Sequence, residues 1–277
     1  MKYNIVTDSA CELTQELETA TKRTMIPFFI DIGEKRYVDD GTIDLPELRK
    51  AMKDYDGVPK TAAPTPYDFL KAFEKGTETF AVTISSALSA TYSNAILAKQ
   101  MAEEQGNKLI HVFDSRSAVC GETAVVQKLK EFIDQGMEFQ DIVNKVEEFI
   151  TTRRTLFVLE SLDNLMKNGR MSKVAGFIAN VLSIKPVLTA DKNGEIKLVE
   201  KTRGLKKAHT RMIEIIGEDK ELLKDRVLFI THCNAAKAAE EIKEQIIKMY
   251  QPKDVQVLET GGLSTIYADN GGIVISY

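Results

Sequence analysis

The residues best suited to chemistry form a run of hydroxyl side chains between residues 83 and 95. The run leads into a helical pattern whose apolar face begins with Leu88 and Tyr92. The first N–H groups of a helix have no partner within it and carry the positive end of its dipole, so hydroxyls at that point suit an anion. The same side chains could equally do no more than cap the helix. The members of the run are Thr83, Ser85, Ser86, Ser89, Thr91 and Ser93.

Small polar residues also end two other predicted strands. Residues 3–7 and 109–113 are short apolar runs, and Asp8, Ser9 and Asp114 follow them directly. Strands that alternate with helices predict an open, mostly parallel sheet, whose ligands bind beyond the carboxyl ends of the strands. These side chains indicate a polar crevice that could serve an enzyme or a binding protein for a small carboxylated or phosphorylated metabolite. Ser and Asp are also common caps in such turns, so a structural role stays open.

The composition favours a globular protein without a nucleic-acid partner. The chain has 277 residues with 37 basic and 41 acidic side chains, a balance that disfavours nucleic-acid binding. There is no charged and then apolar leader and no apolar run of membrane-spanning length, so stable membrane insertion is not expected. Three scattered cysteines disfavour a disulfide framework, and we expect a cytoplasmic location.

Familiar catalytic and cofactor motifs are missing from the sequence. It has no Walker phosphate loop, no GxGxxG after a strand, no GxSxG, no HExxH and no CxxC. The three histidines are scattered, so neither a metal site nor a base beside a serine is indicated. We therefore expect no cofactor and no metal.

The pattern of predicted elements changes near residue 150. Residues 185–189 and 195–199 are separated by a turn, which predicts a hairpin of antiparallel strands. We expect an α/β fold of two domains. Residues 1–150 would form a mostly parallel sheet flanked by helices, and residues 151–277 a mixed α/β domain.

Four local patterns add finer expectations. Residues 25–30 predict one strand, and residues 37–41 a turn. Two glycine pairs bracket residues 263–270, which predicts a loop, either between tight turns or open to a ligand. The proline-rich segment 58–66 is stiff; it could be a spacer, or it could fix the hydroxyl of Thr61 in space.

Basic residues cluster at residues 167–173 and 201–207. A solvated surface explains an isolated run of charges. Each of these runs has an arginine beside a glycine, Arg170 and Arg203, and two such runs in one half also suit the docking of an anionic group or an acidic partner.

Six motifs follow one another along the whole chain. They are Thr7-Asp8-Ser9, Lys60-Thr61-Ala62-Ala63-Pro64, Leu88-Ser89-Ala90-Thr91-Tyr92, Phe113-Asp114-Ser115, Leu165-Met166-Lys167-Asn168-Gly169-Arg170-Met171-Ser172 and Lys185-Pro186-Val187-Leu188. In their order and spacing they resemble the DegV family. The resemblance implies a long-chain fatty acid bound between an N-terminal α/β domain and a C-terminal mixed α/β domain. It also implies a non-catalytic role as the acyl-binding subunit of a fatty acid kinase. A separate kinase subunit would phosphorylate the bound carboxylate with ATP and give an acyl phosphate for phospholipid synthesis.

The resemblance further implies a set of ligand-binding residues. Thr61 matches the threonine of its motif, and Ala62 stands at the next position, which is usually polar in the family. In Ser93-Asn94, the Asn94 amide takes the place of the family's carboxylate-binding serine. Tyr267 takes the place of a histidine, and both substitutes can still donate hydrogen bonds.

Partner docking is implied at two positions. Arg170 and Arg203 match basic positions of the family's exposed face near the pocket mouth, where the kinase subunit would dock. The leading hypothesis from the sequence is thus a fatty-acid-binding protein that presents the carboxylate to a kinase. A small-metabolite enzyme, and a binder shifted to another amphiphile by Asn94 and Tyr267, are the alternatives.

Overall fold

The chain forms three β-sheets in the computed structural model, which describes residues 3–76, 78–106, 109–174 and 184–277. The strands are β1 (Asn4–Asp8), β2 (Thr24–Ile26), β3 (Phe29–Ile32), β4 (Lys35–Val38), β5 (Lys60–Ala62), β6 (Glu78–Thr83), β7 (Leu109–Asp114), β8 (Thr155–Val158), β9 (Ile184–Ala190), β10 (Ile196–Arg203), β11 (Val227–His232), β12 (Asp254–Glu259) and β13 (Ile273–Ser276). The helices are α1 (Gln15–Thr21), α2 (Leu45–Asp54), α3 (Pro66–Phe73), α4 (Thr91–Glu104), α5 (Cys120–Asp134), α6 (Phe139–Thr152), α7 (Asp163–Lys167), α8 (Leu205–Gly217), α9 (Lys220–Leu223), α10 (Ala236–Tyr250) and α11 (Gly262–Ala268). None of these described helices combines the length and apolar character needed to cross a bilayer.

The first sheet has the strand order β2-β1-β6-β7, and every pair in it is parallel, as the sequence predicts. Its two faces are both covered by helices. Phe80 and Val82 of β6 pack in the cluster formed with α5 and α6, whereas Ala81 packs with α3 and α4. The carboxyl ends of the strands therefore meet at one edge, beside the rest of the molecule.

The small second sheet has the order β4-β3-β5 and is antiparallel. It corrects two expectations. Residues 25–30 do not form one strand, because the chain leaves β2 before Pro27, which has no N–H to donate, and enters β3 after it. Tyr37 and Val38 belong to β4 and not to a turn, because they pair with Ile30 and Phe29.

The third sheet is mixed, with the order β10-β9-β8-β13-β11-β12. β11 and β12 are parallel and the other pairs are antiparallel. The predicted hairpin is confirmed as β9 and β10. β8 is the first strand of this sheet along the chain, and the domain division at residue 150 stays a prediction.

Helix α5 lies between the parallel and the mixed sheet. Val125 and Leu129 on one of its faces join the core of the parallel sheet. Cys120 and Ala124 on the other face join a core that also contains Phe157 of β8. Helix α5 is thus apolar on two faces, and each face packs in a different core.

Residues 263–270 are not the loop that the sequence predicts, because most of them belong to helix α11. The first N–H groups of this helix bind carboxylates from far away in the sequence. Asp39 accepts hydrogen bonds from the N–H groups of Gly262 at 2.9 Å and Leu263 at 3.0 Å. Glu12 Oε1 accepts from the Gly261 N–H at 2.9 Å. Negative charge at a helix N-terminus is stabilising, which explains why a helix begins at the glycine pair Gly261-Gly262.

Candidate functional site

An apolar cavity lies between the parallel and the mixed sheet. The space within its walls, together with the part open to solvent at the mouth, amounts to about 890 Å³. The apolar wall residues come from both halves of the chain, and they include Phe28, Ile84, Leu88, Val119, Phe157, Ile196 and Leu263. The cavity is therefore suited to a mostly apolar molecule.

Two hydroxyl groups meet in the cavity wall. Thr61 Oγ1 on β5 and Tyr267 Oη on α11 lie 2.8 Å apart, although 206 positions separate them in the sequence. Both residues line the cavity. The stiff segment thus does display Thr61, and the capped helix α11 brings Tyr267 to it. When one hydroxyl donates to the other, one proton of the pair remains for a ligand.

Arg170 also lines the cavity and is half-buried. Its Nε donates to the carbonyl oxygen of Leu88 at 3.3 Å, and its Nη1 donates to the carbonyl oxygen of Asn168. The guanidinium is thereby held at the wall, where it supplies positive charge. Arg203 lies elsewhere, exposed at the end of β10, beside Lys206 and Lys207. The structure thus separates the two arginines that the resemblance assigns to docking.

Asn94 lies outside the cavity wall. Its Nδ2 donates to the carbonyl oxygen of Pro64 at 2.8 Å and so fastens α4 to the segment that carries Thr61. Ser93 is exposed and donates to the carbonyl oxygen of Ala90 at 2.8 Å. Ala62 is exposed on β5. The structure does not bring these three residues into the wall, and their part in ligand binding stays a prediction.

The polar side chains of the predicted crevice accept hydrogen bonds from nearby backbone N–H groups. Asp8 is buried and accepts from the N–H groups of Ala10 at 3.0 Å and Ile84 at 2.8 Å. Ser9 Oγ accepts from the Phe28 N–H at 3.1 Å. Asp114 accepts from the N–H and hydroxyl of Ser86. The carboxylates therefore hold the strand-end loops in place, as in the structural alternative.

The hydroxyl run is not a helix N-terminal site either. Helix α4 begins at Thr91, and its preceding residue, Ala90, makes no side-chain cap. Leu88 thus lies in a turn before the helix and lines the cavity, which corrects its predicted place on the helical face. Ser85 Oγ donates to the carbonyl oxygen of Gly194 at 3.0 Å. The run therefore joins the parallel sheet to the β9–β10 hairpin.

Buried acids lie behind the cavity. Burial raises the pKa of Glu12 to about 7 and that of Asp8 to about 6. Burial likewise raises the pKa of Glu122 well above its usual range. Desolvation is the largest cause in each case, because burial disfavours the charged form of a carboxyl group. Among the described residues, no group of three or more His, Cys, Asp or Glu side chains could hold a metal ion.

Sequence reasoning did not assign the cavity wall. Phe157 and Val274, which both line it, belong to an ordinary alternating strand pattern, and nothing local distinguishes them from core residues. Glu12 and Asp39 were missed because their partners at the start of α11 are more than 220 positions away.

The fold and the cavity define a class: an α/β protein with parallel and mixed sheets and an apolar cavity between them. The chain belongs to the DegV family. The model of that family, described as "Uncharacterised protein, DegV family", matches residues 2–277. A curated relative, a DegV domain-containing protein of Streptococcus pneumoniae, is 33% identical over 284 residues, which cover 100% of this chain and 99% of the relative.

Solved structures of the family share the whole fold. A DegV family protein from Ruminococcus gnavus, refined with vaccenic acid, has a TM-score of 0.96 and 34% identity, with 100% of both chains covered. The Fak B3 protein of the Streptococcus pneumoniae fatty acid kinase, loaded with linoleic acid, has a TM-score of 0.92 and 31% identity, with 100% of this chain and 99% of that chain covered. Those two proteins bind fatty acids.

Proposed function

We propose that this chain binds one long-chain fatty acid in the cavity, with the carboxylate at the Thr61–Tyr267 pair. The observation that carries the proposal is the meeting of these two hydroxyls, 2.8 Å apart, in a mostly apolar wall. A carboxylate only accepts hydrogen bonds, and the pair has one proton to donate. Arg170 in the same wall supplies positive charge. The fatty acids bound by the two related structures support the same ligand class.

The hydrocarbon supplies most of the gross binding energy. Each buried methylene contributes about 0.8 kcal/mol, so a sixteen-carbon chain contributes on the order of 10 kcal/mol before the costs of ordering it. The described wall carries hydroxyls and one guanidinium but neither a carboxylate nor an imidazole. It therefore suits holding an acid rather than converting it, and we propose a non-catalytic role without a cofactor.

We further propose that the bound carboxylate is presented to a separate kinase subunit in the cytoplasm. The relation to the Fak B3 protein supports a kinase context. The exposed basic group of Arg203, Lys206 and Lys207 offers a docking surface for an acidic partner. The buried, unpaired thiols of Cys11, Cys120 and Cys233 fit a reducing compartment.

The small-metabolite alternative has less support. It needs Asp8, Ser9 and Asp114 free for a ligand, and backbone groups occupy all three. A binder of another amphiphile would use the same cavity and is separated from the main proposal by identifying the ligand.

Native mass spectrometry of the purified protein tests the ligand class. We expect one long-chain fatty acid per chain, released and identified by denaturing extraction. A protein that carries no lipid and takes up no added fatty acid would contradict the proposal. Extraction of a different amphiphile would favour the third hypothesis.

The docking surface has its own test. Arg203→Glu should leave fatty-acid binding unchanged, because Arg203 lies outside the cavity wall, and should lower acyl phosphate formation with a fatty acid kinase subunit. Lys248→Glu on α10 is the matched charge reversal away from this surface. Equal rates for both variants would remove Arg203 from the docking surface.

A further inference from the structure

The cavity wall contains a second pair of hydroxyls, Ser117 and Thr155. Both residues line the cavity, and they are only 2% and 4% exposed. Their oxygen atoms lie 2.8 Å apart. Ser117 follows β7 and Thr155 begins β8, so the pair joins the two halves of the chain. No described hydrogen bond joins this pair to Thr61 or Tyr267.

A buried guanidinium lies behind the Ser117–Thr155 pair. Arg153 Nη1 donates to Thr155 Oγ1 and, at 3.1 Å, to Ser276 Oγ, while Nη2 donates to the carbonyl oxygen of Ser115 at 2.7 Å. Among the described residues, the partners of the Arg153 guanidinium are hydroxyl and carbonyl oxygens rather than a carboxylate, and its Nε has no hydrogen-bond partner. A buried charge without a counter-ion is costly, so its neighbours must satisfy it through hydrogen bonds.

Space for this arrangement is made by Gly121 at the start of α5. A Cβ atom at Gly121 would lie 2.0 Å from Ser117 Oγ and 2.9 Å from Arg153 Nη1. Both atoms are thus packed against the helix backbone. This packing restricts the Ser117 side chain, so its hydroxyl has a defined position in the wall.

The direction of the hydrogen bonds follows from the chemistry of the groups. Arg153 can only donate, so Thr155 accepts from it and passes on its own single proton. Ser276 Oγ donates to the carbonyl oxygen of Arg154 at 3.0 Å, so it does not donate to Thr155. Thr155 therefore donates either to Ser117 Oγ, 2.8 Å away, or to Ser276 Oγ, 3.1 Å away.

In each arrangement, the hydroxyl of Ser117 lacks one of the hydrogen bonds that it can make. If Thr155 donates to Ser117, the only acceptor among the described residues for the Ser117 proton is the carbonyl oxygen of Ala118, at a long 3.4 Å. If Ser117 donates to Thr155, no described residue donates to either lone pair of Ser117 Oγ. A hydroxyl on the ligand can both donate and accept, so it supplies the missing hydrogen bond of Ser117 in both arrangements. A methylene supplies it in neither. An ionised carboxylate could only accept.

We infer that the Ser117–Thr155 pair recognises a hydroxyl group on the acyl chain, and that the preferred ligands are hydroxylated long-chain fatty acids. This inference rests on the proposed function, because it takes the Thr61–Tyr267 pair as the site of the carboxylate. It adds a second polar contact to the same ligand, at a position along the chain that is fixed by the distance between the two pairs.

The test compares hexadecanoic acid with analogues that carry one hydroxyl at successive carbons, including ω-hydroxyhexadecanoic acid. Affinities are measured on delipidated protein by displacement of a fluorescent fatty acid. Hydroxylation normally weakens transfer into an apolar cavity. We expect one position of the hydroxyl to bind about tenfold more tightly than the unsubstituted acid, the gain for completing one buried hydrogen bond.

Ser117→Ala should abolish this preference while the unsubstituted acid still binds. Ser89→Ala is the matched control, because Ser89 is also in the wall but its hydroxyl already bonds to Thr91 Oγ1 at 2.8 Å, and this variant should keep the preference. Thr155→Ser retains the hydroxyl between Arg153 and Ser117, so this variant should also keep the preference for the hydroxylated acid.

Three results would overturn the inference. One is a wild-type protein in which every hydroxylated acid binds no more tightly than hexadecanoic acid, the result expected if an ordered water completes Ser117. Another is a preference that survives in Ser117→Ala. The third is a failure to bind any fatty acid, which would overturn the proposed function as well and is distinguished from the first by the unsubstituted acid.

Discussion

Removing the hydroxyl of Tyr267 or of Thr61 tests where the carboxylate lies. Tyr267→Phe deletes one oxygen and keeps the ring, which packs against the cores on both sides of α11. Thr61→Val deletes the partner oxygen at nearly constant shape. A hydrogen bond to a charged group contributes about 1.5–3 kcal/mol, so the loss of the direct donor should weaken fatty-acid binding roughly 10- to 150-fold.

The pair should also behave as a unit. One hydroxyl orients the other across 2.8 Å, so either single substitution disables most of the contact. The double variant should then lose less binding free energy than the sum of the two single losses, by about 0.5–3 kcal/mol. Calorimetric titration of delipidated protein with hexadecanoic acid measures all four affinities of this cycle.

Tyr55→Phe is the matched control, because Tyr55 is 37% exposed and outside the cavity wall. It should bind hexadecanoic acid as the wild type does. Single variants within twofold of the wild-type affinity would refute the placement of the carboxylate. Strictly additive losses would show that the two hydroxyls bind independently and would refute the relay between them.

Three further predictions concern the framework around the cavity. Asp39→Asn removes the negative charge from the N-terminus of α11 and should lower the free energy of unfolding by about 1–2 kcal/mol, measured by urea titration; an unchanged midpoint would contradict the capping role. Folding raises the pKa of Glu12 from 4.5 to about 7, so the folded state binds more protons, and the free energy of unfolding should fall as pH rises between about pH 4 and pH 7. Glu12→Gln should flatten that slope, and a wild-type slope of the opposite sign would be inconsistent with its burial. Gly194→Ala should destabilise the protein more than Gly136→Ala. Both glycines have positive φ, but only a Cβ atom at Gly194 would meet Ser85 Oγ, at 2.1 Å, and Arg116 Cα, at 2.8 Å. Equal melting temperatures of the two variants would contradict that close packing.

The parallel sheet and the β9–β10 hairpin could be predicted because their signals are local. An apolar run such as residues 109–113 between helical patterns indicates a buried strand, and a turn between residues 185–189 and 195–199 indicates a hairpin. The break at Pro27 was a local signal too, but apolar residues on both sides of it favoured one continuous strand. Local patterns thus fixed which segments are extended more reliably than where each one ends.

The site depends on contacts that no local pattern contains. Helix α11 owes its start to carboxylates more than 220 positions away, so its glycine pairs alone wrongly predict a loop. Leu88 continues the helical spacing of Tyr92 but lies in a turn, in which its N–H donates to the carbonyl oxygen of Ser85 at 2.9 Å. Of the residues implied by family resemblance, the structure unites Thr61 with Tyr267 and leaves Asn94 outside the wall.

Helix α5 also constrains how a ligand can enter. Its two apolar faces belong to different cores, so a hinge motion that separated the sheets would expose one whole face of the helix to water. Burying a single side chain of that kind contributes about 1.5–3 kcal/mol, which makes such an opening as costly as partial unfolding. A fatty acid bound as proposed would therefore have to enter and leave without separation of the two large sheets.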